Sequence, residues 1–330
     1  MTRFLPIVLA LCATGLFAQN PAPRLVYEER GGTAGHSLVV DGKTFGPYKE
    51  VNLAAKSTSG TAGLFFTNKR DKTYVVAQGR EWGPLASGEN TDISYISDDG
   101  KVWALTTYRD IPTDSGEGMG GDDEEDYGSV TETTLWVNGK SYGPFESVYD
   151  FQYAETGGSW IANVRLSEEE YAVLLNGKNV GSFYSVDHIW MFPDGKEWGY
   201  VVTDDESTTV VTSTKKYEAV QGYDFNYMYP KSPHWGYAIR IDDEQELIVI
   251  DGKTYTGYIN FNGLNLSTSA KHWAFEAEKL SNDGDHPVIV VNGKEYLGER
   301  LSASSIGDKE FFMWEVKDGT KVTTQVLTLP

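Results

Sequence analysis

Short apolar runs, each broken by a tight polar turn and resumed as an alternating run, recur along the chain. LVVDGKTFGPY, YVVAQGREWGP, LWVNGKSYGPF, VLLNGKNVGSF, VVTSTKKYEAV, IVIDGKTYTGY and IVVNGKEYLGE align, with turn positions Gly42, Gly79, Gly139, Gly177, Thr214, Gly252 and Gly293. The separations are 37, 60, 38, 37, 38 and 41 residues, so one insertion of about 22 residues interrupts a period near 38. An apolar run followed by Asn-Gly or Asp-Gly predicts a hairpin, because a type I′ turn needs positive φ at both central residues. Gln78-Gly79 and Ser213-Thr214 depart from that pattern. A second marker keeps phase: Trp160, Trp198, Trp235, Trp273 and Trp314 each follow a turn position by 21 residues, and Phe66 and Trp103 follow theirs by 24. Small residues often come next, as in Trp198-Gly199 and Trp273-Ala274, which suits sheets packed face to face. The mature chain has no sustained helical period. Within one unit the pattern predicts strands over 186–192, 197–203, 209–212 and 216–220.

Four short strands in each of seven units predict an all-β fold, a β-propeller of seven four-stranded blades. Closure would come from pairing of N- and C-terminal strands, with residues 25–30 joining the blade begun by 302–316. Eight blades result if the spare strands, 25–30 and 321–329, form a blade of their own. The turn sequences SDDGK and FPDGK, each shortly before a Trp-small pair, resemble those of WD-repeat-like propellers of secreted bacterial proteins, including the TolB type. Ser97-Asp98-Asp99-Gly100 lacks the family's Pro and Phe192-Pro193-Asp194-Gly195 lacks its Ser. The resemblance covers most of residues 38–316 and implies a fold, not a function.

Residues 1–18 read as a secretory signal peptide: Arg3 leads, residues 4–17 are almost wholly apolar, and Ala18 offers a cleavage site before Gln19. That makes 19–330 a single exported propeller domain, periplasmic or extracellular. The run is too short for a convincing membrane span. The one cysteine, Cys12, lies inside it behind Leu11, which does not suit lipid attachment. The processed chain then holds no disulfide and no thiolate chemistry.

Charge changes the picture most. The chain has 28 basic and 48 acidic residues, a net charge of −20, which disfavours nucleic acid as a partner. With four antiparallel strands per unit, the 2–3 and 4–1 loops emerge on one face. The 2–3 loops hold 22 acidic and 5 basic side chains, so the carboxylates are expected on that face. The insertion at 110–131 dominates it: eight carboxylates lie between Asp110 and Ser129 without a basic residue, including Asp122, Asp123, Glu124, Glu125 and Asp126. Such a rim concentrates cations or basic proteins, or merely keeps an exported protein soluble. Calcium is a weaker possibility, Asn282-Asp283-Gly284-Asp285 being the nearest approach to a calcium loop; whether any metal binds is open.

No catalytic pattern is present: no Gly-x-Ser-x-Gly elbow, no His-Glu-x-x-His pair, no phosphate-binding glycine loop. His234 and His272 occupy one slot in adjacent units and read as turn residues. His188 on an inner strand could line the central channel, with Trp190, Tyr149, Tyr223 and Tyr227 near its mouth. The reading is a non-enzymatic scaffold that meets a basic protein partner or cations through an acidic loop face. The alternative is a carbohydrate-binding or carbohydrate-active protein with its site at the channel mouth.

Overall fold

The turn pairs read from the sequence are where the backbone reverses. The computed structural model describes residues 27–32, 35–40, 42–85, 90–112, 129–204, 207–220, 222–224, 234–242 and 244–329. Both central residues have positive φ at Gln78-Gly79, Asn138-Gly139, Asn176-Gly177, Asp251-Gly252 and Asn292-Gly293. Gln78-Gly79 therefore turns like the Asx-Gly pairs, whereas neither residue of Ser213-Thr214 enters the left-handed region. A non-glycine residue in that region costs about 1–2 kcal/mol, which Asn and Asp offset by local hydrogen bonds. Here the bond is a specific one. The Oδ1 atoms of Asn138, Asn176, Asp251 and Asn292 accept the backbone N–H groups of Trp103, Trp160, Trp235 and Trp273 at 2.8–3.0 Å. Turn and tryptophan, two separate markers along the chain, thus meet within one sheet.

The first sheet is three-stranded and antiparallel: β1 (Tyr27–Gly32), β2 (Gly35–Val40) and β3 (Lys43–Tyr48). The second holds β4 (Glu50–Lys56), β5 (Gly63–Lys69), β6 (Lys72–Ala77) and β7 (Arg80–Trp82). The third holds β8 (Asn90–Ile96), β9 (Trp103–Pro112), β10 (Ser129–Val137) and β11 (Lys140–Phe145). The fourth is β12 (Ser147–Tyr153), β13 (Trp160–Ser167), β14 (Glu170–Leu175) and β15 (Lys178–Phe183). The fifth is β16 (Ser185–Met191), β17 (Trp198–Thr203), β18 (Thr208–Thr212) and β19 (Lys216–Val220), within a residue or so of the expected spans. The sixth comprises β20 (Gly222–Asp224), β21 (Gly236–Asp242), β22 (Gln245–Ile250) and β23 (Lys253–Ile259). The seventh comprises β24 (Leu264–Leu266), β25 (Trp273–Lys279), β26 (His286–Val291) and β27 (Lys294–Leu297), joined to the sixth by a short β23–β25 ladder. The eighth is β28 (Glu299–Ile306), β29 (Lys309–Asp318) and β30 (Lys321–Thr328). Among the described residues there is no helix.

The all-β expectation and the four-stranded unit stand: the described strands form seven hydrogen-bonded sheets, one of eight strands that divides at the short β23–β25 ladder into two four-stranded units, which makes eight units, the two terminal ones three-stranded. The residues read as spare ends are ordinary strands of separate sheets, β1 and β30. Among the described residues no ladder joins β1–β3 to β28–β30, so the expected pairing of terminal strands is not seen. The insertion is also shorter than expected. β9 and β10 stay paired to Pro112 and Ser129, because Thr131 and Val130 continue the ladder opposite Asp110 and Ile111.

Burial lies between consecutive sheets. Leu38, Val40, Phe65 and Val76 join the first to the second, and Leu64, Val75, Trp103 and Leu105 the second to the third. Leu135, Phe151 and Trp160 lie between the third and fourth, Ile161, Val173 and Ile189 between the fourth and fifth. Val201, Val210 and Ile239 join the fifth to the sixth, Ile248, Phe275 and Val288 the sixth to the seventh. Phe312 and Trp314 close the seventh against the eighth. Each large apolar side chain buried this way contributes about 1.5–3 kcal/mol. Two polar clasps add to the sheet contacts: Tyr48 donates to Glu81 and Tyr258 to Glu295. In the third and fourth sheets Phe145 and Phe183 take the tyrosine slot, and Asn179 and Lys216 stand in the glutamate slot.

Candidate functional site

The first strand of several sheets carries a bulge against the second. The register shifts between Leu53 and Ala55, Thr91 and Ser94, Val148 and Asp150, Val186 and His188, and Glu299 and Ser302. A bulge inserts an unpaired residue and re-aims its side chain. In the fourth and fifth sheets the inserted residues are Tyr149 and Asp187. Tyr149 stands 54% exposed.

Arg165, near the end of β13, fixes that tyrosine. Its Nε lies 3.2 Å from Glu146 Oε2 and donates to Ser167 O at 3.0 Å. One Nη donates to Glu168 O at 3.2 Å and the other to Tyr149 Oη at 3.4 Å. The guanidinium also sits over the Tyr171 ring, 5.9 Å from its centroid. Tyr149 and Tyr171 pack with centroids 5.5 Å apart. A hydrogen bond with Tyr171 and the bond from Arg165 pull the Tyr149 phenol below its usual range, and the same tyrosine pair pushes Tyr171 up. The arginine charge is thus absorbed by a carboxylate and by turn carbonyls. Beside it, Glu168, Glu169 and Glu170 are exposed at the β13–β14 turn. Tyr184, 64% exposed, follows Phe183, which pairs with Tyr171. The surface combines the exposed Tyr149 phenol ring with exposed turn carboxylates.

Deeper on the inner strands lie Asp150 and His188, one on β12 and one on β16. Burial raises the Asp150 carboxyl, and hydrogen bonds from the Gln152 amide, at 3.1 Å, and from the Phe151 N–H pull it partly back. Burial pulls the His188 imidazole below its usual range, and the Asp150 carboxylate acts against that shift. Asp187 beside it is held by Ser185 Oγ at 2.6 Å.

The structure changes the standing of several sequence candidates. Trp190 stacks on His188 with centroids 6.2 Å apart, but it is fully buried and offers no ring face to a solvent ligand. The reason lies opposite: Trp190 pairs with Gly199, where an added Cβ would fall 2.1 Å from the indole. The small residue after Trp198 houses the ring of the preceding strand. Tyr223 lies on β20; Asp122, Asp123, Glu124, Glu125, Asp126 and Tyr227 lie outside the described residues. His234 is a turn residue as expected, bonded to Asp251 Oδ2 at 2.7 Å and Lys271 O at 3.0 Å. His272 likewise meets Asn292 at 3.0 Å. Sequence reading missed Arg165, Tyr171 and Tyr184; the bulge that brings Tyr149 against the Arg165–Tyr171 pair leaves no composition signal. Among the described residues no group of three His, Cys, Asp or Glu side chains is placed to hold a metal. No helix among them is long and apolar enough to cross a membrane.

No protein-family model matches the chain, and no curated protein matches it. Solved structures similar to it include the β-propeller domain of the Trilobed protease from Pyrococcus furiosus, at 13% identity and a TM-score of 0.32, over 74% of this chain and 84% of that one. Acylaminoacyl peptidase from Pyrococcus horikoshii is similar at 11% identity and a TM-score of 0.30, over 90% of this chain and 56% of that one. Prolyl oligopeptidase B from Galerina marginata is similar at 11% identity and a TM-score of 0.33, over 84% and 51%. The chain spans about half the length of the two peptidases. At these scores the likeness is too distant to carry fold or function.

Proposed function

We propose that the chain is an exported, non-enzymatic, WD-repeat-like β-propeller that binds a basic protein partner through the face carrying its 2–3 and 4–1 loops. Consecutive sheets, each buried against the next, support the propeller arrangement, with eight blades rather than seven. The observation that carries the binding reading is Tyr149, held 54% exposed on a bulge by Arg165 beside Glu168, Glu169 and Glu170. A lysine or arginine arriving there meets carboxylates and a phenol face together, and a cation over an aromatic ring contributes about 0.5–2 kcal/mol. The carboxylates of 110–131 would extend the same face, and calcium there would compete with the partner. The carbohydrate alternative loses support because Trp190, its best stacking ring, is buried.

The test is binding of a lysine-rich peptide to the full chain. Tyr149→Ala with Glu168→Lys and Glu169→Lys should weaken it at least about tenfold, in line with a lost cation–π contact and reversed charges. Tyr149→Phe, which keeps the ring, should bind nearly as the parent does. Equal binding by the triple variant would overturn the proposal.

A further inference from the structure

The outer edges of the sheets are blunted in a consistent way. The final strand of a complete sheet is short or irregular, and the ladder it makes with the third strand shifts register in the third, fourth, fifth and sixth sheets. Gly83-Pro84 follows β7, Gly143-Pro144 lies within β11 and Gly257 within β23. Proline, glycine and bulges are the devices by which sheet edges avoid pairing with other chains.

β30 has none of them. It pairs with β29 over eight consecutive residues, from Phe311 opposite Thr328 to Asp318 opposite Lys321, without a bulge. It stands in the third-strand position of its sheet, and among the described residues nothing pairs with its other side. Val322 is 52% and Val326 56% exposed, and Ile306 on the same face of the sheet is 75% exposed. β30 contains one charge, Lys321, and no carboxylate, in a chain of net charge −20.

We infer that β30 is a self-association edge, pairing antiparallel with β30 of a second copy about a two-fold axis at Thr324. That register is self-complementary, as a two-fold interface requires. Val322 falls opposite Val326 of the second copy and Val326 opposite its Val322, while Lys321 faces Leu327 rather than another lysine. The two three-stranded sheets become one of six strands, with the exposed valines paired across the seam. The absence of carboxylates is the second argument for a copy of this chain. Two acidic molecules can approach closely along a stretch that carries no negative charge, and their long-range repulsion predicts a dimer strengthened by salt. That salt response is opposite in sign to the one expected of basic-partner binding, so the two readings fail separately.

Sedimentation velocity of the full chain over a concentration series, in low salt and in about 1 M salt where the Debye length is about 3 Å, tests it. The parent should dimerise, more tightly in high salt. Val322→Lys with Val326→Lys should be monomeric throughout and melt where the parent melts when diluted to monomer, since both side chains are half exposed and like charges would face each other across the seam. Thr324→Cys should form a covalent dimer on oxidation, because the two-fold places the two thiols directly opposite each other, within a small backbone adjustment of disulfide geometry. A parent monomeric at every concentration and salt, as when another segment of the same chain covers β30, overturns the inference. So does a dimer that the two lysines leave intact.

Discussion

The fourth and eighth sheets are built from the same repeat and meet different surroundings. In the fourth, both faces are covered: Trp160 and Ala162 face the third sheet, Ile161 and Val173 the fifth. Solvent meets it through loops, and it is there that Tyr149, Arg165 and the Glu168–Glu170 turn form a polar surface. In the eighth, Phe312 and Trp314 face the seventh sheet, while Ile306, Val322 and Val326 on the opposite face stay exposed. The difference teaches that a sheet in this series draws its stability from two neighbours. An internal sheet is free to spend its loops on recognition, and a terminal one is left with a bare face and edge.

The largest effect that would sharpen this contrast is in the buried interior. Trp190→Ala should cost about 3–5 kcal/mol in urea denaturation, as for large aromatic truncations in a core. Val326→Ala on the outer face of the eighth sheet should stay within about 0.5 kcal/mol of the monomer's parent value. Comparable losses at the two positions would break the comparison.

A smaller effect separates turn chemistry from packing. Asn176→Ala removes the acceptor for the Trp160 N–H and places alanine at a φ of 51°, so it should destabilise by about 1–3 kcal/mol. Asn176→Gly, which suits the left-handed backbone, should cost less. A reversed order would show that the hydrogen bond and the backbone angle do not set this turn.

Asp99 links the third sheet to the fourth and makes that contact depend on pH. Burial acts to raise its carboxyl, but bonds from Lys101 N–H at 2.9 Å and Gly157 N–H at 3.0 Å outweigh it and hold it below the usual range. The folded carboxyl ionises more readily than the unfolded one. Its contribution is therefore complete above the ordinary value of about 4 and is lost as pH falls through the lower folded value. Asp99→Asn should be less stable than the parent at pH 7, with the gap closing in acid. A gap that is constant down to strong acid would rule out this role.

The smallest predicted change is a gain. Ala270 has a φ of 56° at the β24–β25 turn, where Gly60, Gly100 and Gly195 occupy the matching turns of other sheets. Ala270→Gly should raise stability by about 1 kcal/mol. A loss would mean that alanine's side-chain contacts outweigh its backbone strain.

How much of this was legible follows from what each signal encodes. Asn138-Gly139, Asn176-Gly177, Asp251-Gly252 and Asn292-Gly293 announced their turns because the backbone demands those residue types. The fifth sheet's strands were placed within a residue or so because their apolar alternation is strict. The bonds those same Asn and Asp side chains accept from the tryptophan N–H groups were invisible, since they join positions 16 to 35 residues apart without a composition signal. Trp190 looked available because strand alternation gives parity and not depth; only its register opposite Gly199 reveals the burial. Seven copies were counted because the count rested on the third-to-fourth-strand hairpin, which the eighth sheet lacks. Tyr149 was legible as a mouth residue, whereas Arg165 and Tyr171 were not, because a bulge brings Tyr149 against them.

Affinity for a lysine-rich peptide, measured from about 0.01 M to about 1 M salt as the Debye length falls from about 30 Å to about 3 Å, tests the acidic loop face most directly. A steep, continuous weakening is expected for the parent, and a shallower, weaker curve when Glu168, Glu169 and Asp122–Asp126 are neutralised. Affinity that is flat across the series, or equal for a glutamate-rich peptide, would contradict it.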